Sequence, residues 1–115
     1  GETVAAVDAT DLYLTAGNRL LKLPKAGGEP AVVLATFEGD VYLGRQGLVD
    51  EANVFVASGS EALWSVPKEV GVPRLMATDF PGGIDHLAQD EGNIFVMYGY
   101  EAIDIVPKTA SAPIP

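Results

Sequence analysis

The chain has 115 residues, 48% of them hydrophobic, and a formal charge of −9 from sixteen acidic against seven basic side chains; this is the size of one folded unit, with a surface that repels phosphate backbones. Nucleic acid is therefore excluded as an expected partner, and the absence of cysteine removes disulfides, thiolate nucleophiles and cysteine-based zinc sites. No apolar stretch reaches the roughly 18 residues a spanning helix needs, so no membrane insertion is expected, and 13 Gly with 8 Pro predict many tight turns and little helix.

Along the chain, residues 3–7 form the first candidate strand. Val7-Asp8-Ala9-Thr10-Asp11-Leu12-Tyr13-Leu14 then introduces a motif: Asp, two variable residues, Asp or Asn, aliphatic, aromatic, aliphatic. The leading Asp accepts backbone N–H bonds two residues on, which makes a turn and delivers the chain into a β-rich run at 11–16. A tight loop at Gly17-Asn18 leads to a third strand at 19–23. Pro24-Lys25 closes it, because Pro has no N–H to donate to a ladder. Residues 26–30 are a loop before a fourth strand at 31–36.

The same order recurs. Residues 41–49 are the next first strand, and Val49-Asp50-Glu51-Ala52-Asn53-Val54-Phe55-Val56 repeats the motif 42 residues after its first appearance. Strands are expected at 53–58, 62–66 and 73–78, with Pro67-Lys68 between the last two. The third copy has a first strand at 84–89, Gln89-Asp90-Glu91-Gly92-Asn93-Ile94-Phe95-Val96 after a further 40 residues, strands at 93–98 and 102–106, and Pro107-Lys108. Gly17, Gly59 and Gly99 each follow their Asp by nine residues. A period of about 40 residues, held by several landmarks in step, marks a repeat architecture.

Four short antiparallel strands per repeat predict an all-β fold, a β-propeller segment of about three four-stranded blades over residues 1–115. The repeats lie at about 2–38, 39–80 and 81–115, the last incomplete. The pattern resembles the YWTD- and NHL-type propeller superfamily, particularly bacterial blades reading aliphatic-Asp-x-x-x-aliphatic-Tyr, then Gly, then aliphatic-Pro-Lys-x-Gly-Gly-x-Pro. Copy one carries it through Val7-Asp8, Leu12-Tyr13, Leu23-Pro24-Lys25, Gly27-Gly28 and Pro30. Copy two has lost one Gly, and copy three drifts after Lys108. The resemblance covers nearly the whole chain and bears on fold more than on function. Similar bacterial repeats often belong to exported proteins, which inclines the expected setting towards secreted or periplasmic without assigning a compartment.

Closed propellers have about four to eight blades. Three are expected to be completed by self-association, two chains giving about six blades, by a partner chain carrying more, or by the rest of a longer protein. The Asp8/Asp11, Asp50/Asn53 and Asp90/Asn93 pairs are read as turn formers rather than calcium ligands, since they recur in every copy and lack the EF-hand spacing. Lys25, Lys68 and Lys108 are read as solvated turn residues. Residues that break the repeat are the site candidates: Arg45, Gln46, Asp85 and His86 as a polar channel lining that contacts ligand, and Trp64, Tyr98 and Tyr100 as an aromatic platform. For His86 an ordinary hydrogen-bonded strand histidine is the bland alternative, and for the aromatics packing between blades. No catalytic residue, metal site or cofactor is assigned. The expected function is a noncatalytic binding or assembly module; the alternatives are part of a propeller lactonase- or lyase-type enzyme, or a structural repeat in an extracellular filament or surface protein.

Overall fold

A computed structural model describes residues 2–27, 30–37, 48–58, 62–69, 71–81, 84–99 and 102–111, with backbone only for 2–6 and 58. The described chain is all-β and antiparallel, in three small sheets. The first contains β1 (Glu2–Val7), β2 (Asp11–Ala16), β3 (Arg19–Pro24) and β4 (Val32–Thr36). The second contains β5 (Leu48–Val49), β6 (Asn53–Ser58), β7 (Ala62–Pro67) and β8 (Arg74–Ala77), and the third β9 (Ile84–Gln89), β10 (Asn93–Tyr98) and β11 (Ala102–Pro107). In every sheet the strands lie in sequence order, each paired with its predecessor.

The second strands of all three repeats occupy the residues the motif predicts. The third strands extend one residue further, so that Pro24, Pro67 and Pro107 face Asp11, Asn53 and Asn93 at the end of each ladder. The lysine after each Pro then donates its backbone N–H to Thr10, Ala52 or Gly92 at 2.9–3.0 Å, closing the hairpin base. In the first hairpin, Ala16 pairs with Arg19 across a two-residue loop. Gly17 sits there at φ 60° and Asn18 at negative φ, the arrangement of a type II′ turn, which matches the twist of the flanking strands. Of the expected strand at 41–49, residues 41–47 lie outside the described residues.

Side-chain alternation explains how the sheets meet. A strand sends successive side chains to opposite faces. In sheet two, Val54, Val56 and Val66 join Tyr13, Leu20, Leu34, Ala35 and Phe37 of the first repeat in one core, with Val49 and Trp64 packed against it. Phe55, Ala57 and Leu63 point the other way and join Ile84, Leu87, Ile94, Val96 and Val106 of the third repeat, together with Met76 and Phe80, in a second core. Sheet two is thus apolar and covered on both faces. Sheets one and three each share only one of the two cores.

Candidate functional site

At the start of each second strand the Asp turn forms as its chemistry requires. Asp8 Oδ1 accepts the N–H groups of Thr10 and Asp11 at 2.9 and 2.8 Å; Asp50 does the same with Ala52 and Asn53, and Asp90 with Gly92 and Asn93. This uses one carboxylate oxygen. The other faces the next sheet, where the lysines read from the sequence as solvated take a different role. Lys68 Nζ lies 2.7 Å from Asp8 Oδ2, and Lys108 Nζ lies 3.2 Å from Asp50 Oδ2. Both lysine side chains are 16% exposed, and each ammonium stands over the aromatic ring of the preceding repeat. Lys68 is 5.9 Å from the Tyr13 centroid, and Lys108 is 5.4 Å from that of Phe55, a favourable placement on the negative ring face.

The two joints are therefore built alike, with a carboxylate and an aromatic ring from one sheet and a lysine from the next. Further bonds reinforce each. Lys22 Nζ donates to the Lys68 carbonyl at 3.3 Å, and the Arg74 guanidinium donates to the Lys108 carbonyl. Gln89 donates to the Val49 carbonyl at 2.9 Å and accepts from Lys108 Nζ at 3.0 Å. Burial alone would raise the Asp8 carboxyl pKa, but it is outweighed by the Lys68 ammonium, the Thr10 and Asp11 N–H groups and the Tyr13 hydroxyl, which hold it well below the usual carboxylate range. Asp50 is lowered in the same way, its burial outweighed by the Asn53 and Ala52 N–H groups and Lys108. Tyr13 donates its hydroxyl to Asp8 Oδ2 at 2.8 Å, and burial, then that carboxylate, push its phenol upward.

The first joint opens at the rim into a cleft of about 520 Å³, lined by Asp8, Thr10, Lys22, Glu51, Lys68 and Glu69 among others. Its cations already face carboxylates, Lys68 on Asp8 and Lys22 at 4.0 Å from Asp11. Among the described residues, no group of three or more His, Asp or Glu side chains is arranged to hold a metal ion.

The residues that break the repeat are dispersed. Arg45, Gln46 and Tyr100 lie outside the described residues. Asp85 and His86 are exposed on β9, where the pairing passes from His86 opposite Met97 to Ile84 opposite Tyr98. Asp85 is thus the extra residue of a bulge, a device that re-aims neighbouring side chains. In β1 the skipped residue is Ala5, between the partners of Tyr13 and Leu14, two positions nearer its Asp turn than Asp85 is. Trp64 packs edge-on against Phe37 at 5.3 Å in the first joint, whereas Tyr98 packs against Phe80 at 5.2 Å in the second. The two rings belong to opposite sides of sheet two, so these two aromatics do not share one platform; each serves packing between sheets.

A different feature stands out at the far face of sheet three. Positions that correspond across the repeats are Leu20, Leu63 and Ile103, each opposite the residue two after its aromatic. Leu20 and Leu63 are fully buried, but Ile103 is 60% exposed. Beside it Ile105 is 62% and Met97 44% exposed, with Phe95 half-buried. Ile105 stands where the covered sheets have Lys22 and Ser65, so this face is more apolar than its buried equivalents. The sequence carried the signal in the aliphatic residues at 103 and 105, once the register was known. No protein-family model, no curated protein and no solved structure matches this chain.

Proposed function

We propose that the chain is a noncatalytic assembly and binding module, a segment of β-propeller whose outer sheet faces are covered by further blades, from a second copy of itself or from a partner chain. The observation that carries this reading is the open face of sheet three. Repeat arrays that end in water carry a polar outer face on the terminal repeat. Here Met97, Ile103 and Ile105 form an exposed apolar row at positions whose counterparts in the preceding sheets are buried, Lys22 alone being half-buried, and such a row marks an interaction surface. The sequential pairing of strands within each sheet, the 40-residue period and the shared Asp, aromatic and Lys arrangement of both joints fit blades laid one after another.

Two measurements test the reading. Light scattering across a range of concentration should give a particle of twice the 12.0 kDa chain mass if a second copy supplies the cover. Replacing Ile103→Glu together with Ile105→Glu should leave the melting temperature of the dilute chain unchanged while abolishing assembly. A marked fall in that melting temperature would mean that the face is already covered within one chain, and would overturn the reading.

A further inference from the structure

The two ends of the array are complementary halves of the joint already formed twice inside it. In both internal joints, the sheet that presents the aromatic face supplies Asp and the sheet that receives it supplies Lys: Asp8 with Lys68, and Asp50 with Lys108. Sheet three presents the same face with Phe95 and Asp90. Asp90 Oδ1 is engaged by the Gly92 and Asn93 N–H groups at 3.0 and 2.9 Å. Among the described residues, its Oδ2 meets no partner. Sheet one carries the other half. Lys25 has the backbone anchor of its counterparts, its N–H on the Thr10 carbonyl at 3.0 Å, as Lys68 has on Ala52 and Lys108 on Gly92. Its ammonium makes no ion pair among the described residues, and its side chain is exposed. Sheet one also carries Leu12, Leu21 and Leu23, half-buried, and Leu14, buried, the counterparts of Val54, Trp64, Val66 and Val56 in the first core.

We infer that a second copy of this chain docks head to tail on the open face of sheet three, placing its Lys25 ammonium on Asp90 Oδ2 and over the Phe95 ring. This rests on the propeller reading above and names its partner. The complementary ends decide between occupants. The net charge of −9 on each copy opposes generic association, so attraction and register both fall to the local pair of Lys25 and the unpaired Asp90 carboxylate oxygen. The Asp90 carboxylate is held by backbone N–H groups before contact, whereas only the backbone of Lys25 is anchored, so docking must order the lysine side chain. The joint is heterologous, with different patches meeting, and two copies related by a two-fold axis would form it twice in one closed particle.

Charge exchange tests this directly. Lys25→Asp and Asp90→Lys, each alone, place like charges in both joints of a two-copy particle, and each should weaken association by roughly a hundredfold. Mixing the two variants restores the original lysine–aspartate pair at one joint and sets the same pair with its charges exchanged at the other, so the mixture should assemble like the unmodified chain. Asp90→Asn retains the carbonyl oxygen of the turn while losing the charge. It should fold normally, and should weaken assembly roughly tenfold, which keeps the test informative if Asp90→Lys misfolds. Analytical ultracentrifugation reads all of these. If the unmodified chain assembles and neither exchange alters it, the inference is overturned while coverage of the open face stands, and the Ile103 and Ile105 pair then reports on that coverage separately. A chain that stays monomeric at every concentration also overturns the inference, because the occupant is then not a second copy.

Discussion

Asp8→Asn removes the charge of the first joint while keeping its turn. Asparagine retains an oxygen for the Thr10 and Asp11 N–H groups, but both bonds fall from charge-assisted to neutral, the Lys68 ammonium loses its counter-ion, and the amide nitrogen that replaces Oδ2 cannot accept from the Tyr13 hydroxyl. The pair is only 16% and 19% exposed in its side chains, which places it between a surface and a buried ion pair. Weakening of the bonds and loss of the pair should together cost about 2 kcal/mol. For a chain of this length that lowers the melting temperature by roughly 6–10 °C at neutral pH. The sign with pH follows from the depressed pKa. A carboxylate whose folded pKa lies below its unfolded value contributes stability that is fully present above about pH 4 and is lost as the pH falls through the folded value. The difference between the two proteins should therefore be constant from about pH 5 upward and shrink steadily below pH 4. Urea unfolding at low protein concentration, followed by the fluorescence of Trp64, the sole tryptophan, measures it. An unchanged difference at pH 3 and pH 7 would refute the assignment of the loss to charge, and no loss at all would refute the joint as a source of stability.

Three further outcomes follow from particular positions. Gly17→Ala should destabilise by about 1 kcal/mol because φ is 60° there, whereas Gly92→Ala, at a site with open space and no positive φ and where copy two already has Ala52, should stabilise by about 0.5 kcal/mol; thermal melts distinguish them. Leu63→Ala should cost about 3 kcal/mol by leaving a cavity in the second core, while its repeat counterpart Ile103→Ala should cost under about 1 kcal/mol in the dilute chain, both read by urea unfolding. The Tyr13 phenol is pushed up above its ordinary value near 10, so the stability it contributes is present below pH 10 and is lost only as the pH rises towards the folded value; ultraviolet titration should find one tyrosine that ionises only when the protein unfolds.

Much of this architecture is legible in the residues. The Asp turn, the apolar run and the Pro that ends pairing are local chemistry, so the second strands can be read residue for residue from 11, 53 and 93. The turn chemistry of Asp8 is also legible, but only for one of its oxygens. Lys68 and Lys108 read as solvated when their recurrence is attributed to the turn alone. In a stacked array every joint recurs as well, and a cation in step with a carboxylate of opposite sign one period earlier is the signature of that joint. Trp64 and Tyr98 draw attention as departures from the pattern, yet departure does not reveal which face of a strand a ring occupies or which neighbour it meets. That depends on pairing between residues far apart in sequence. The bulge at Asp85 is likewise invisible, since no local residue preference demands an unpaired position there.

The two-sided burial of sheet two has a consequence for how the molecule holds together in time. Cooperativity in a linear array passes only between neighbours, so the middle sheet is the one element that cannot open without dissolving both cores. The outermost strand, β11, opens against a single core. Protection of backbone amides from solvent exchange is therefore graded outward from the middle, highest at β6 and β7 and lower in sheets one and three. Covering the open face of sheet three would flatten the gradient on that side, giving its strands a second core to dissolve before they open.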